Sequence, residues 1–196
     1  HMGEVSNLVN NFKVEKVIFN CGEFNELEQD LIKALDKKKI PYYSCIKELN
    51  IDGNKLYFLN DKDYDNENDN SSVVYMKFNN HKFLFMGDAG VEAFNQVKYL
   101  LPQNVEVLKV GHHGGPNVVD SGMLEYLGVK TSLISTGLNY FGHPNRGTLD
   151  VLRNTDILRT DLLNSVKFST DGNLYKIYSY ETHDKKYELR NIFVSK

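Results

Sequence analysis

Three apolar runs in this chain end in the same manner. "KFLFM" stops at Gly87-Asp88, "VEVLKV" at Gly111-His112-His113-Gly114-Gly115, and "TSLIST" at a loop that carries Asn139, Tyr140, Phe141 and His143 before Pro144. Aliphatic and β-branched residues in runs this short read as buried strands. Between them, 89–101 brings Val91, Phe94, Val97 and Leu101 to one helical face, and 120–127 reads as a shorter helix. Strand, polar corner, helix and strand again is the rhythm of an α/β fold. In open α/β sheets, ligands gather at such strand ends. The glycines around His112 and His113 supply the backbone freedom for a sharp turn that another group can approach closely.

The remaining segments fit one domain spanning 1–196, with no internal repeat and no long linker. Residues 14–19 read as a strand, followed by a helix over 25–38 with Leu27, Leu31, Ala34 and Leu35 on one face and Asn25 and Glu28 as a capping pair. Segments 40–46 and 55–59 read as strands joined by the turn Asp52-Gly53-Asn54, and 72–78 with 82–86 as a hairpin around "NNH". Thr148 is placed to cap a helix running through Leu152. "DILRT", "SVKFST" and "LYKIYSY" close the chain as strands around the Asp171-Gly172 turn. In "DKDYDNENDN", acids at alternate positions from Asp61 to Asp69 imitate a calcium loop. Asn66 stands where such a loop needs glycine and Ser72 where it needs glutamate, so a solvated surface loop is expected.

Composition excludes some classes. With a net charge of -3 the chain has no global basic field to attract nucleic acid, so contact with phosphates would need a local patch or a metal. No apolar stretch reaches the length of a membrane span, and a soluble domain is expected. Cys21 and Cys45 show no CxxC pairing, which argues against both a disulfide and a cysteine metal site.

Asp88, His112, His113 and His143 each follow an apolar strand. Imidazole and carboxylate together suit zinc, manganese or iron, and two such ions could activate a water and neutralise charge on a phosphodiester. "FLFMGDAG", "LKVGHHGG", "LISTGLNYFGHPNRGTLDVL" and "ILRTDLLNSVKFSTDGN" resemble, in order, the motifs of the metallo-β-lactamase-type domain of the ComEC/Rec2 DNA-uptake competence proteins, over residues 73–175. The resemblance implies an αββα sandwich, a two-ion centre of zinc or manganese with Asp88 bridging, His112 or His113 as a ligand, and His143 as a ligand or catalytic acid. It further implies a nuclease or phosphodiesterase that degrades one strand of DNA during uptake, as a soluble domain of a bacterial membrane protein.

Two departures from the family pattern stand out. Gly115 occupies the position where the family usually carries serine after HHG, and the opening HxHxDH or HxDxDH motif has no full copy here. His1, in "HMGE", is either the last histidine of that motif or a cloning remnant. Several ligands and early strands of the family are thus expected to be missing, leaving a partial sandwich that is weakly active or inactive alone and prone to self-association through an exposed sheet. Tyr140 and Phe141 either stack on the bases of single-stranded DNA or pack their loop. Asn139 either binds a phosphate or holds its own turn, and His113 is a second candidate for substrate contact. Arg159 and Asp161 are expected to pair structurally and pin a C-terminal strand, not to take part in catalysis. The same motifs would serve a hydrolase of a small phosphodiester or choline ester, and a degenerate site would leave a non-catalytic interaction module.

Overall fold

The computed structural model describes residues 4–194; His1 lies outside them. The chain opens with α1 (Val5–Asn11), β1 (Val17–Phe19), α2 (Glu26–Lys38) and β2 (Tyr42–Ser44). It continues through β3 (Glu48–Ile51), β4 (Asn54–Phe58), β5 (Val74–Phe78), β6 (His81–Phe85), α3 (Val91–Val97) and β7 (Val107–Lys109). Then come α4 (Ser121–Leu127), β8 (Thr131–Ile134), α5 (Arg146–Leu152), β9 (Asp156–Arg159) and α6 (Thr160–Leu163). The last strands are β10 (Val166–Thr170), β11 (Leu174–Glu181) and β12 (Lys186–Val194).

Seven strands form one sheet in sequence order from β3 to β9. Pairing is antiparallel from β3 to β6 and parallel from β6 to β9. Side-chain alternation then divides the core, since neighbours along a strand face opposite sides. Leu84 and Leu108 point into a cluster with Phe94 and Val97 of α3, Met123 and Leu127 of α4 and Leu152 of α5. Phe83 and Val107 point the other way, onto Tyr175 and Ile177 of the three-stranded β10–β12 sheet. Helices therefore cover one face of the large sheet and a second sheet covers part of the other. The buried His81 ring sits edge-on to Tyr175 at 5.0 Å and bonds Glu106 at 3.0 Å, which fastens the two sheets together. Burial pushes the Tyr175 phenol up to about 12.

The N-terminal unit has its own core of Val9, Phe19, Leu31 and Leu35. The expected capping box on α2 forms: the Asn25 side chain accepts from the Glu28 amide, and Glu28 accepts from the Asn25 amide. Leu27, however, is exposed, and Glu28 is buried instead because Lys62 reaches its carboxylate at 2.6 Å. Cys21 and Cys45 are joined in a disulfide, contrary to the reading of two isolated cysteines. They follow β1 and β2, which pair in parallel, so the crossover through α2 brings together two sulfurs that no local spacing connects.

Three further expectations are corrected. The Asp52-Gly53 turn joins β3 to β4, not 40–46 to 55–59; both residues have positive φ, as two-residue hairpins favour. Asn145 caps α5 through the Gly147 amide, while Thr148 is buried inside the helix with another task. Arg159 and Asp161 do pair, at 2.6 Å, but they staple the local β9–α6 junction and do not reach a C-terminal strand. The Arg159 hydrogen bond holds the Asp161 carboxyl below its usual range.

Candidate functional site

Because β6, β7 and β8 run parallel, their C-terminal ends emerge along one edge of the sheet. Each is followed by one of the polar corners, so Asp88, His112, His113 and the loop ending at His143 converge there. Direct bonds tie the corners together. The His112 amide donates to Gly87 O at 3.2 Å, and the Asn145 amide donates to Gly114 O at 2.8 Å. Val110 N donates to Leu133 O across the ends of β7 and β8.

The HHG turn is tightly constrained. His112 and His113 both take positive φ, 41° and 54°, a region that costs side-chain-bearing residues on the order of 1–3 kcal/mol each and gathers at functional sites. The His112 and His143 rings meet edge to face with centroids 5.1 Å apart, and His113 lies 6.2 Å from His112. His113 Nδ1 is 2.7 Å from Ser135 O; a carbonyl only accepts, so Nδ1 carries the proton there and the neutral ring has its lone pair on Nε2. Gly115 explains its own departure from serine: a Cβ would stand 3.0 Å from His112 Cδ2 and 3.1 Å from His143 Cε1 and Nε2. Both imidazoles pack over bare backbone.

Thr148 supports that backbone from below, its buried hydroxyl donating to Gly115 O at 2.6 Å. Thr148→Val keeps the shape and removes the donor. It is expected to cost about 1–3 kcal/mol by orphaning a buried carbonyl, read as a lower urea midpoint; an unchanged midpoint would refute this support.

The loop of His143 is self-contained. Asn139 Oδ1 accepts from the amides of Phe141 and His143 at 3.1 Å each, while its Nδ2 donates to Gly137 O and His143 O. Its amide is thus engaged in holding its own turn. Tyr140 and Leu138 project fully into solvent, and Phe141 stacks on His143 at 6.0 Å, leaving an apolar tip beside the histidines. Burial first, then the nearby His112 and His113, lowers the His143 pKa from the ordinary imidazole value, with Asp88 pulling the other way.

Asp88 and His112 line one cavity of about 340 Å³ together with Asn66, Asp69, Glu92 and Asn117. The acid-rich segment is therefore not simply a solvated loop. Asp69 is buried, its Oδ1 accepting from Gly90 N at 2.7 Å and its Oδ2 from Asn66 Nδ2 at 2.8 Å. Ser71 Oγ accepts from Asp88 N at 3.0 Å. The signal missed in the sequence was the run of asparagines among the acids, since Asx side chains bond nearby backbone and build compact loops. Lys109 was also missed, although a lysine inside "VLKV" is unusual. Burial pulls its ammonium below the ordinary range, partly offset by Asp88.

The donors fit a zinc or manganese ion in kind, and His143 Nδ1 is buried without a hydrogen-bond partner, as an imidazole kept for another ligand would be. They do not fit in number. Among the described residues, no three His, Cys, Asp or Glu side chains come together in a group able to hold an ion, whereas a catalytic zinc takes three protein ligands.

No protein-family model matches the chain, and no solved structure does. The chain is 26% identical over 196 residues to ComE operon protein 3 of Bacillus subtilis (strain 168), a similarity covering 94% of this chain and 25% of that protein. It thus spans about a quarter of that relative's length. Among the described residues, no helix is long and apolar enough to cross a membrane.

Proposed function

We propose that this chain is a metallo-β-lactamase-type hydrolase region of a DNA-uptake protein, cutting phosphodiester bonds and degrading one strand during import. The observation that supports it best is the convergence of Asp88, His112, His113 and His143 on one sheet edge, in a chain that aligns along 94% of its length with ComE operon protein 3. The com-operon relative and the four motifs resembling the ComEC/Rec2 competence proteins point the same way. In this reading the strand-end residues would supply part of the donor set for divalent ions, zinc or manganese. The exposed rings of Tyr140 and Phe141 offer stacking surfaces to single-stranded bases without sequence preference. The reading fits a membrane-associated DNA-uptake system, and the incompletely covered sheet face around Phe85 is the candidate surface for self-association.

The test is cleavage of single-stranded DNA with manganese or zinc, measured on the protein as expressed from its gene. Asp88→Ala and His143→Ala are each expected to lower the rate about 100-fold, the size of effect that loss of a catalytic acid or a metal-ion ligand produces. Cleavage unaffected by either substitution would refute the assignment. Hydrolysis of a small phosphodiester or choline ester without DNA cleavage would move the substrate class.

A further inference from the structure

We infer that segment 60–72 is a clamp that positions the Asp88 carboxylate, with Asp69 and Ser71 as its positioning residues; the functional part of this inference rests on the hydrolase reading. The turn carrying Asp88 is gripped at alternate residues by this one segment. Ser71 Oγ accepts from the Asp88 amide at 3.0 Å, and Asp69 Oδ1 accepts from the Gly90 amide at 2.7 Å. Both acceptors come from side chains, so their loss leaves the strands unaltered.

The jaw of the clamp is itself rigid. Buried Asn60 donates through Nδ2 to Asp69 O at 2.6 Å and Ser71 O at 2.9 Å, and Asn20 Nδ2 donates to Asn70 O at 2.9 Å. Asp69 closes the loop by accepting from Asn66. The fit is close on the turn side as well. A Cβ on Gly87, where φ is +58°, would stand 2.7 Å from Ser71 Cβ, and a Cβ on Gly90 would stand 2.8 Å from Asn117 O. Val91 N donates to that same Asn117 O, and Gly87 O accepts from His112 N. The clamp therefore fixes Asp88 relative to His112 as well as to the sheet. A carboxylate at a strand end has no regular structure to hold it, and displacement of a reacting group by about 1 Å can cost on the order of 100-fold in rate.

The variants Ser71→Ala, Asp69→Ala and Asp69→Asn test this by amide hydrogen exchange and by single-stranded DNA cleavage. Ser71→Ala and Asp69→Ala are expected to speed exchange about tenfold at Asp88 and Gly90 respectively, relative to Leu108 in the central strand. Both should lower kcat about tenfold with KM within about twofold. Asp69→Asn keeps an oxygen for the Gly90 amide but turns an NH2 toward the Asn66 Nδ2 donor, so it should restore only part of that protection. Unaltered exchange at Asp88 and Gly90, or equal acceleration at Leu108, would overturn the clamp. Wild-type protein that hydrolyses neither DNA nor a small phosphodiester or choline ester would instead overturn the hydrolase reading, and the exchange rates would still decide the clamp.

Discussion

Gly111→Ala is expected to lower stability by about 3 kcal/mol, the upper end of the usual cost of overpacking, and to push the two histidines away from Asp88. A Cβ at this position would stand 2.2 Å from Ala89 O and 3.2 Å from Ala89 C, both backbone atoms of the neighbouring corner. No rotamer change relieves such a contact, so the ends of β6 and β7 must separate. Separation would stretch the bond from His112 N to Gly87 O, which joins the two turns directly. Gly137→Ala is the control, because a Cβ there has nothing within 4 Å. Urea unfolding should show a large drop in midpoint for Gly111→Ala and a near-neutral result, within about 0.5 kcal/mol, for Gly137→Ala. Equal midpoints for the two would mean that the corners are not packed against each other. A typical domain has only about 5–15 kcal/mol of stability to lose.

The second large effect lies in the N-terminal unit. The disulfide joins cysteines 24 residues apart and closes a loop containing α2. In the chain-entropy account, a loop of this length contributes about 3 kcal/mol by restricting the unfolded chain. The unit's buried core is small, with Val9, Phe19, Leu31 and Leu35 at its centre, so α1 and α2 should loosen first. The double variant Cys21→Ser, Cys45→Ser is expected to lower the unfolding midpoint accordingly and to speed amide exchange at Leu31 and Leu35. Thiol titration of the native protein should find no free thiol. Two titratable thiols in protein prepared without reductant would refute the bond.

Much of the architecture was legible because it is written locally. The capping pair Asn25 and Glu28, the hairpin at Asn79-Asn80 and the strand–corner–helix rhythm depend on residues within a few positions of each other, and each appears in the structure. Local reading failed where the partner lies far along the chain. Leu27 was assigned to the buried face of α2 by periodicity, but Lys62, 34 residues beyond Glu28, selects Glu28 for burial. Thr148 looked like a cap and instead supports Gly115, 33 residues earlier. The acids of 61–69 looked solvated because charge usually seeks water, yet Asp69 is buried where Gly90 and Asn66 supply the hydrogen bonds that replace it.

The sequence by itself determined which residues stand at the strand ends: Asp88, His112, His113 and His143, with glycines where the backbone must turn. Only the tertiary structure decided that these ends share one edge, that Gly115 lies beneath two imidazoles, that Asp69 and Ser71 grip the Asp88 turn, and that Cys21 meets Cys45. The physical reason is one of range. Strand propensity, capping and turn chemistry act over a few residues, whereas strand pairing and crossover connections bring together groups separated by tens of residues, whose contact no local pattern encodes.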